Sequence, residues 1–244
     1  MLSAARKKQI EELLAALNIE LDDFELMEEA LTHPSYNFEQ NLLCEKDYER
    51  LEFLGDSVLR ICVSDFLFEK YPDYDEGKLS KIRAFVVSDK FLCEIALKIG
   101  IRDYINIGEH EEKDGGRNKE SILACALEAV FGAVYKCRGF SYAKEFICNI
   151  YSSLNTDIDY IMYQYNTKEL LQQYTQGVNK DLPEYVVVNE TGLAHDKTFE
   201  VAVKYHGREC GRGIAKTKKE AERFAAMEAL KNLKAEENFK ENLK

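Results

Sequence analysis

The residues best suited to chemistry are two carboxylates in the segment ERLEFLGDSVL, residues 49–59. Glu52 and Asp56 stand four positions apart, so in a helix their side chains lie on one face, one turn above the other. Like charges at this spacing destabilise a helix by about 0.2–0.5 kcal/mol. A hard cation such as Mg²⁺, which takes oxygen ligands, would offset that cost. The pair therefore predicts a divalent metal site, and a solvated acidic helix face is the alternative.

Two features near this pair favour the metal site. Gly55 lies inside the helical pattern, where glycine costs about 1 kcal/mol relative to alanine, so it indicates close packing or the approach of a substrate. A third acid, Glu128, lies in the small and apolar run SILACALEAVFGAVYKCR, residues 121–138. A lone glutamate in such surroundings is rarely buried without a partner. We therefore expect Glu128 to join Glu52 and Asp56 around one cation.

Length and composition limit the class of protein. The chain has 244 residues, of which 45% are hydrophobic, enough for one large domain and a small one. No stretch approaches an uninterrupted transmembrane length, and charges interrupt residues 1–21, so we expect a cytoplasmic protein with no membrane partner. The seven cysteines are scattered and contain no CxxC pair, which argues against a disulfide framework and a zinc site.

Charge is unevenly distributed along the chain. Residues 1–165 contain 19 Lys and Arg against 31 Asp and Glu, whereas residues 166–234 contain 12 against 10. Within the second part, residues 205–234 contain 8 basic against 4 acidic side chains. This asymmetry suits metal binding in the first part and polyanion binding in the second, although chance is the alternative for counts of this size.

Helical periodicity predicts an all-α first part. Pro34 is expected to stop the second helix, and His33 beside it is interpreted as a packing or capping group before a functional one. Residues 37–46 and 103–118 are expected to be polar loops. The predicted helices are 3–17, 22–31, 49–70, two within 76–101, and 121–138.

The period changes near residue 155 and predicts a small α-β-β-β-α unit. Such a unit forms one antiparallel sheet with two helices on one face. The predicted elements are a helix at 167–176, strands at 184–188, 198–205 and 209–215, and a helix at 218–233.

The start of the last helix is a candidate phosphate site. Thr217 and Glu220 form a capping box. Lys218 and Lys219 oppose the helix dipole, but together with the unpaired N–H groups of the first turn they would attract a phosphate. Solvated lysines at an exposed helix end are the alternative. Weaker candidates for contacts to sugar hydroxyls and groove edges are Gln172, Gln173, Gln176, His195 and Lys197.

These motifs resemble a known family. ERLEFLGDSVL, the downstream EGKLSKIRAFVVS and ILACALEAVFGAVY, in that order, look like the endonuclease domain of bacterial-type ribonuclease III. The unit ending GRGIAKTKKEAERFAAMEAL is similar to a double-stranded RNA-binding domain. The resemblance implies a helical nuclease domain at 1–155, a linker at 156–165, an RNA-binding domain at 166–235 and a polar tail at 236–244.

The resemblance also implies a function and a set of site residues. The expected protein is a homodimer that cuts double-stranded RNA with Mg²⁺, with Mn²⁺ as an alternative ion, and leaves 5′-phosphates and short 3′ overhangs. Precursors of ribosomal RNA are the implied substrates. The family's metal-binding acids fall on Glu52, Asp56 and Glu128, with Asp56 and Glu128 as the catalytic residues; Glu49 and Glu76 match further acidic positions.

One position departs from the family pattern. The family has an aspartate three residues before the helix glutamate, where this chain has Cys125. Sulfur is a soft ligand and suits Mg²⁺ poorly. The leading prediction is an active endoribonuclease whose metal ion is held by the three acids. The alternative is a dimeric double-stranded RNA-binding protein whose catalysis is impaired by Cys125.

Overall fold

The chain forms two compact units, Met1–Asn155 and Thr156–Lys244. The computed structural model describes residues 2–41, 46–154, 167–179, 181–192 and 197–241. The predicted linker at 156–165 and His195 lie outside the described residues. None of the helices in the described ranges is long and apolar enough to cross a membrane.

The first unit is helical, as the sequence predicts. Its only β-type pairing in the described residues is an isolated bridge between Thr32 and Asn106. The helices are α1 (Ala4–Leu17), α2 (Phe24–Ala30), α3 (Pro34–Glu39), α4 (Glu49–Lys70), α5 (Glu76–Val86), α6 (Asp89–Lys98), α7 (Glu109–Lys113) and α8 (Glu120–Ser153), with 3₁₀ turns at Ile101–Tyr104 and Gly116–Asn118.

Two glycines bring α4 and α8 into backbone contact at the centre of this unit. A Cβ built on Gly55 would lie 1.7 Å from the carbonyl oxygen of Glu128, and one built on Gly132 would lie 2.3 Å from the carbonyl oxygen of Leu51. Neither position has room for a side chain, because the obstructing atoms are backbone. The sequence-based interpretation of Gly55 as a site of close packing is therefore confirmed.

The second helix ends before Pro34, at Ala30, and Pro34 is itself the first residue of α3. His33 is the N-cap of α3, and its Nδ1 accepts the Ser35 N–H at 3.1 Å. Proline fits this position because its missing N–H is one of the donors that a first turn leaves unpaired. The expected loop at 37–46 is accordingly shorter at its start, since α3 continues to Glu39. The capping interpretation of His33 is confirmed.

The expected loop at 103–118 contains the short helix α7. The Glu39 carboxylate caps it from a distant part of the chain, accepting the N–H groups of Glu109 at 2.5 Å and His110 at 2.9 Å. Two negative acceptors at a helix start satisfy donors that the helix itself cannot pair. The helical segment after residue 120 is also longer than predicted, reaching Ser153 with a break at Gly139, where φ is +77°.

The second unit has the predicted α-β-β-β-α order. The antiparallel sheet has the order β1-β2-β3, and its core side includes Val201 and Val203 with the helix residues Leu171 and Leu230. The elements are α9 (Thr167–Asn179), β1 (Glu184–Thr191), β2 (Thr198–Tyr205), β3 (Arg208–Ala215) and α10 (Lys218–Glu241), so the last helix extends past its predicted end.

Helix α10 lies directly on β3. A Cβ on Gly211 would be 2.3 Å from the backbone nitrogen of Ala229, and one on Gly213 would be 2.2 Å from the Ala221 carbonyl oxygen. Small residues on both elements thus permit the contact. This packing fixes the position of the helix start that carries Lys218 and Lys219.

Candidate active site

The contact between α4 and α8 brings the predicted acids together. Glu52 and Asp56 are half-buried on α4, and Glu128 is half-buried on α8. Burial raises the pKa of Glu128 to about 8, and the negative charges of Asp56, Glu52 and Asp89 add to the effect. We call Glu52, Asp56, Cys125 and Glu128 the acidic cluster.

The cluster is held by two hydrogen-bonded pairs. Arg60 Nε donates to both carboxylate oxygens of Asp56, at 2.7 and 2.8 Å. The Cys125 thiol is hydrogen-bonded to Glu52, and its pKa is raised by burial, by that bond and by the charges of Glu52 and Glu128. Cys125 is therefore a protonated donor that orients Glu52.

The donor chemistry of the cluster fits a hard divalent ion. Its three carboxylates supply oxygen ligands, and the pKa of Glu128 is raised first by burial and then by the charges of the other acids, both of which a bound cation would offset. Within the described ranges, no group of three or more His, Cys, Asp or Glu side chains converges closely enough to hold a metal. Asp56 is instead paired with Arg60, so metal binding requires these side chains to rearrange.

Glu49 and Glu76 have different surroundings. Glu49 is exposed in the first turn of α4, where its N–H donates to Asp47 at 3.2 Å. Glu76 is exposed at the start of α5 and accepts the Ser80 hydroxyl at 2.7 Å. Their roles near the metal stay predictions.

Sequence reasoning missed two charged residues that act on the cluster. Asp89, the first residue of α6, acts electrostatically on both Glu128 and Cys125. Arg60 binds Asp56 and also lowers the pKa of Glu128 by its positive charge. The i, i+4 spacing of Asp56 and Arg60 was a readable signal for the pair. Asp89 carries no such signal, because only the fold brings α6 towards α8.

The second unit brings two predicted RNA-binding lysines together. Lys197 pairs with one carboxylate oxygen of Glu190, and Lys218 Nζ lies 3.9 Å from the other. Lys218 Nζ also lies 5.3 Å from the centre of the Phe199 ring. Lys219 is exposed in the first turn of the same helix. These lysines form a basic surface where β1 and β2 meet the start of α10.

The start of α10 is capped as predicted, and the glutamines of α9 face solvent. The Thr217 hydroxyl accepts the Glu220 N–H at 3.2 Å, so Thr217 is the N-cap. Gln172, Gln173 and Gln176 are exposed, and Gln173 donates to Glu169 at 3.1 Å. Their contacts with RNA stay predictions, as do those of the lysines.

Fold and site together define a class of protein. A helical unit with a half-buried carboxylate cluster precedes an α-β-β-β-α unit with a basic surface. Carboxylates that can hold a divalent ion serve phosphodiester hydrolysis, and basic helix starts serve phosphate binding. The protein is therefore of the class of nucleases that consist of a catalytic unit followed by a nucleic-acid-binding unit.

Comparisons with known proteins identify the family. The model described as ribonuclease-III-like matches residues 23–154, and that of the double-stranded RNA binding motif matches residues 167–233. Ribonuclease 3 of Borreliella afzelii (strain PKo) is 41% identical over 235 residues, covering 94% of this chain and 93% of that protein. Ribonuclease 3 of Listeria monocytogenes serotype 4a (strain HCC23) is 39% identical over 225 residues, covering 92% and 98%.

Solved structures support the same family assignment for the first unit. A crystal structure of the nuclease domain of ribonuclease III from Campylobacter jejuni matches with a TM-score of 0.56 at 39% identity, covering 62% of this chain and 98% of that one. The chain belongs to the ribonuclease III family. It is an endoribonuclease that acts on double-stranded RNA, and these findings favour that activity over a binding protein without catalysis.

Proposed function

We propose that this endoribonuclease uses Mg²⁺, with Mn²⁺ as the alternative ion, and leaves 5′-phosphates and short 3′ overhangs. Its proposed substrates are precursors of ribosomal RNA and other structured RNAs, including messengers. The observation that carries the proposal is the close contact of α4 with α8 through two glycines, which places Glu52 and Asp56 near enough to Glu128 for their charges to act on it. The proposed limits are 1–155 for the nuclease domain, 156–165 for the linker, 166–235 for the RNA-binding domain and 236–244 for the tail.

Glu52, Asp56 and Glu128 would hold the ion. When bound, the ion supplies an activated water and neutralises charge on the phosphoryl oxygens. Glu128 would hold the ion as a carboxylate, and Asp56, whose oxygens Arg60 engages in this structure, would hold it through those same oxygens. The Cys125 thiol, as a neutral donor, keeps Glu52 oriented and adds no charge.

The basic surface of the second unit would bind the duplex backbone. Lys218 and Lys219 would pair with phosphates at the start of α10, and Lys197 would do so next to them. The exposed glutamines of α9 would reach groove edges and 2′-hydroxyls, the features by which proteins recognise duplex RNA.

An exposed apolar stripe on α4 supports a homodimer. Phe53, Ile61 and Phe68 are 79%, 55% and 71% exposed although they are large and apolar. Their spacing puts them on one side of the helix, with Ser57 and Ser64 between them. Large apolar side chains this exposed along one side of a helix indicate an association site. A related nuclease domain from Campylobacter jejuni, with a TM-score of 0.55 and 40% identity, is described as having structural flexibility in a region involved in dimer formation.

We expect Phe68→Glu to convert the dimer to a monomer, because the substitution would put an unpaired charge into the proposed desolvated contact. Sedimentation velocity of the full chain at several concentrations measures this. The matched control is Leu97→Glu, which changes a 46% exposed apolar residue on α6 and should stay dimeric. A wild-type monomer, or a Phe68→Glu variant that remains dimeric, would contradict the proposed dimer face.

We also expect the stability of the metal-free protein to fall with increasing pH. The folded-state pKa of Glu128, about 8, lies above its ordinary value of 4.5. The folded state therefore binds this proton more strongly than the unfolded state, and its contribution to stability is lost between about pH 5 and about pH 8. Mg²⁺ requires the carboxylate, so it should raise the melting temperature more at about pH 8.5 than at about pH 6.

Thermal melts at both pH values, with and without Mg²⁺, measure this difference. Glu128→Gln is the control, because it removes the titrating group and should flatten the pH dependence. An equal Mg²⁺ effect at both pH values would argue against Glu128 as a ligand.

Product analysis tests the proposed reaction. A perfect RNA duplex is incubated with purified protein and Mg²⁺, and both strands are mapped at nucleotide resolution. We expect 5′ ends that accept a label only after phosphatase treatment, and cuts on the two strands that are offset to leave 3′ overhangs. Blunt ends or 5′-hydroxyls would contradict the proposed chemistry.

A further inference from the structure

Arg60 faces the acidic cluster from within α4. It follows Asp56 by one turn, and its Nε is bonded to both oxygens of that carboxylate at 2.7 and 2.8 Å. The pKa of Arg60 is raised, first by this hydrogen bond and then by the charges of Asp56 and Glu128. Its positive charge also reaches Glu128, whose pKa it lowers. One guanidinium thus interacts with two of the three acids proposed to hold the ion.

The pair occupies the atoms that a metal needs. A divalent ion binds carboxylate oxygens, and both oxygens of Asp56 are engaged by Arg60. The guanidinium and the ion cannot share Asp56 without strong repulsion between their charges. The Arg60 side chain is 55% exposed, whereas that of Asp56 is 32% exposed, so Arg60 can move into solvent while Asp56 stays in the cluster.

We propose that Arg60 is an internal counter-cation of the acidic cluster: it stabilises the cluster without metal, and it competes with the divalent ion for Asp56. This inference rests on the proposed metal site and adds a residue that sets its affinity. Arg60 is a positioning residue, because it acts through Asp56.

A second ion pair, which joins α4 to α8, distinguishes this role from general stabilisation by an ion pair. Lys144 of α8 pairs with Asp65 of α4, and the two side chains are 41% and 42% exposed. Its pKa is raised by Asp65, Cys148 and Glu69, none of which belongs to the cluster. Lys144→Gln therefore removes one positive charge and one ion pair from the same unit without freeing a proposed ligand.

The test is isothermal titration of the metal-free full chain with Mn²⁺ and with Mg²⁺, for the wild type, Arg60→Gln and Lys144→Gln. We expect Arg60→Gln to bind the ion about 3- to 10-fold more tightly, because Asp56 no longer has to exchange a partner. Without metal, Arg60→Gln should melt at a lower temperature than the wild type, and its melting temperature should rise more when the ion is added. Lys144→Gln should match the wild type in affinity.

A conservative variant is the control for misfolding of Arg60→Gln. Arg60→Lys keeps the charge, so it should fold as the wild type does and bind the ion with nearly wild-type affinity. Unchanged or weaker ion binding by a folded Arg60→Gln would overturn the role of Arg60, as would an equal gain in Lys144→Gln. Failure of the metal site itself looks different: the wild type would bind no ion, or binding would survive Glu128→Gln unchanged.

Discussion

Glu128→Gln is expected to abolish cleavage of double-stranded RNA while leaving its binding intact. Glutamine keeps the shape of the side chain but removes the negative charge that the ion requires. Loss of a direct ligand should exceed the factor of about 10–100 that outer-shell partners of a metal typically cost. RNA affinity should stay at the wild-type value in a chelated buffer, because the proposed backbone contacts lie in the second unit.

The variant also tests whether the loss is chemical or structural. The raised pKa of Glu128 indicates that its charge is costly in the metal-free fold, so Glu128→Gln should melt at or above the wild-type temperature at alkaline pH. The matched control is Glu120→Gln, which removes an exposed acid from the first turn of the same helix. Wild-type cleavage by Glu128→Gln, or equal loss in Glu120→Gln, would refute the assignment.

Gly55→Ala is expected to destabilise the first unit strongly. The new Cβ would lie 1.7 Å from the Glu128 carbonyl oxygen and 2.9 Å from the Gly132 nitrogen, both backbone atoms that cannot turn aside. Helices α4 and α8 must move apart, and overpacking of this severity costs at least about 3 kcal/mol. This outweighs the gain of about 1 kcal/mol that alanine brings to a helix. The net loss of at least about 2 kcal/mol should lower the melting temperature by about 4–8 °C or more.

Gly77→Ala is the control that shows the gain in helix stability from alanine alone. Gly77 lies in α5, and its nearest neighbour to a built Cβ is Asp75 Oδ1 at 3.6 Å, an ordinary contact. This variant should be as stable as the wild type or slightly more so. Thermal unfolding of both full-length variants, followed by circular dichroism, measures the difference. A Gly55→Ala variant that melts with the wild type would contradict the backbone contact that positions Glu128.

The sequence predicted most elements because their periodicity and caps are local. Apolar spacing located α4, and the order of strands and helices in the second unit followed from alternation and the Thr217 cap. Helix α7 was missed because its cap comes from Glu39, some seventy positions earlier in the chain. The sequence did not predict α3, because a proline that follows one helix can also be the first residue of the next.

The site was predictable to the extent that its residues carried a local anomaly. The acidic pair with Gly55, and the isolated Glu128, each violated the pattern of an ordinary helix and so predicted a partner. Asp89 fits the pattern of an ordinary helix, since an acid in a first turn is common, and so nothing in the sequence marks it as part of the site. Cys125 was expected to weaken the metal site, and the fold adds that its thiol is hydrogen-bonded to Glu52.

The most direct test of the central claim is cleavage of a labelled RNA duplex by the purified protein in Mg²⁺, in Mn²⁺ and in EDTA, with a gel shift in the chelated state. We predict cutting that requires the metal and RNA binding that does not. Cutting at an unchanged rate in EDTA would contradict the metal site. Tight RNA binding without cutting in either metal would contradict the claim that the protein is an active nuclease. Recovery of cleavage by Cys125→Asp would then identify the thiol as the cause of the lost activity.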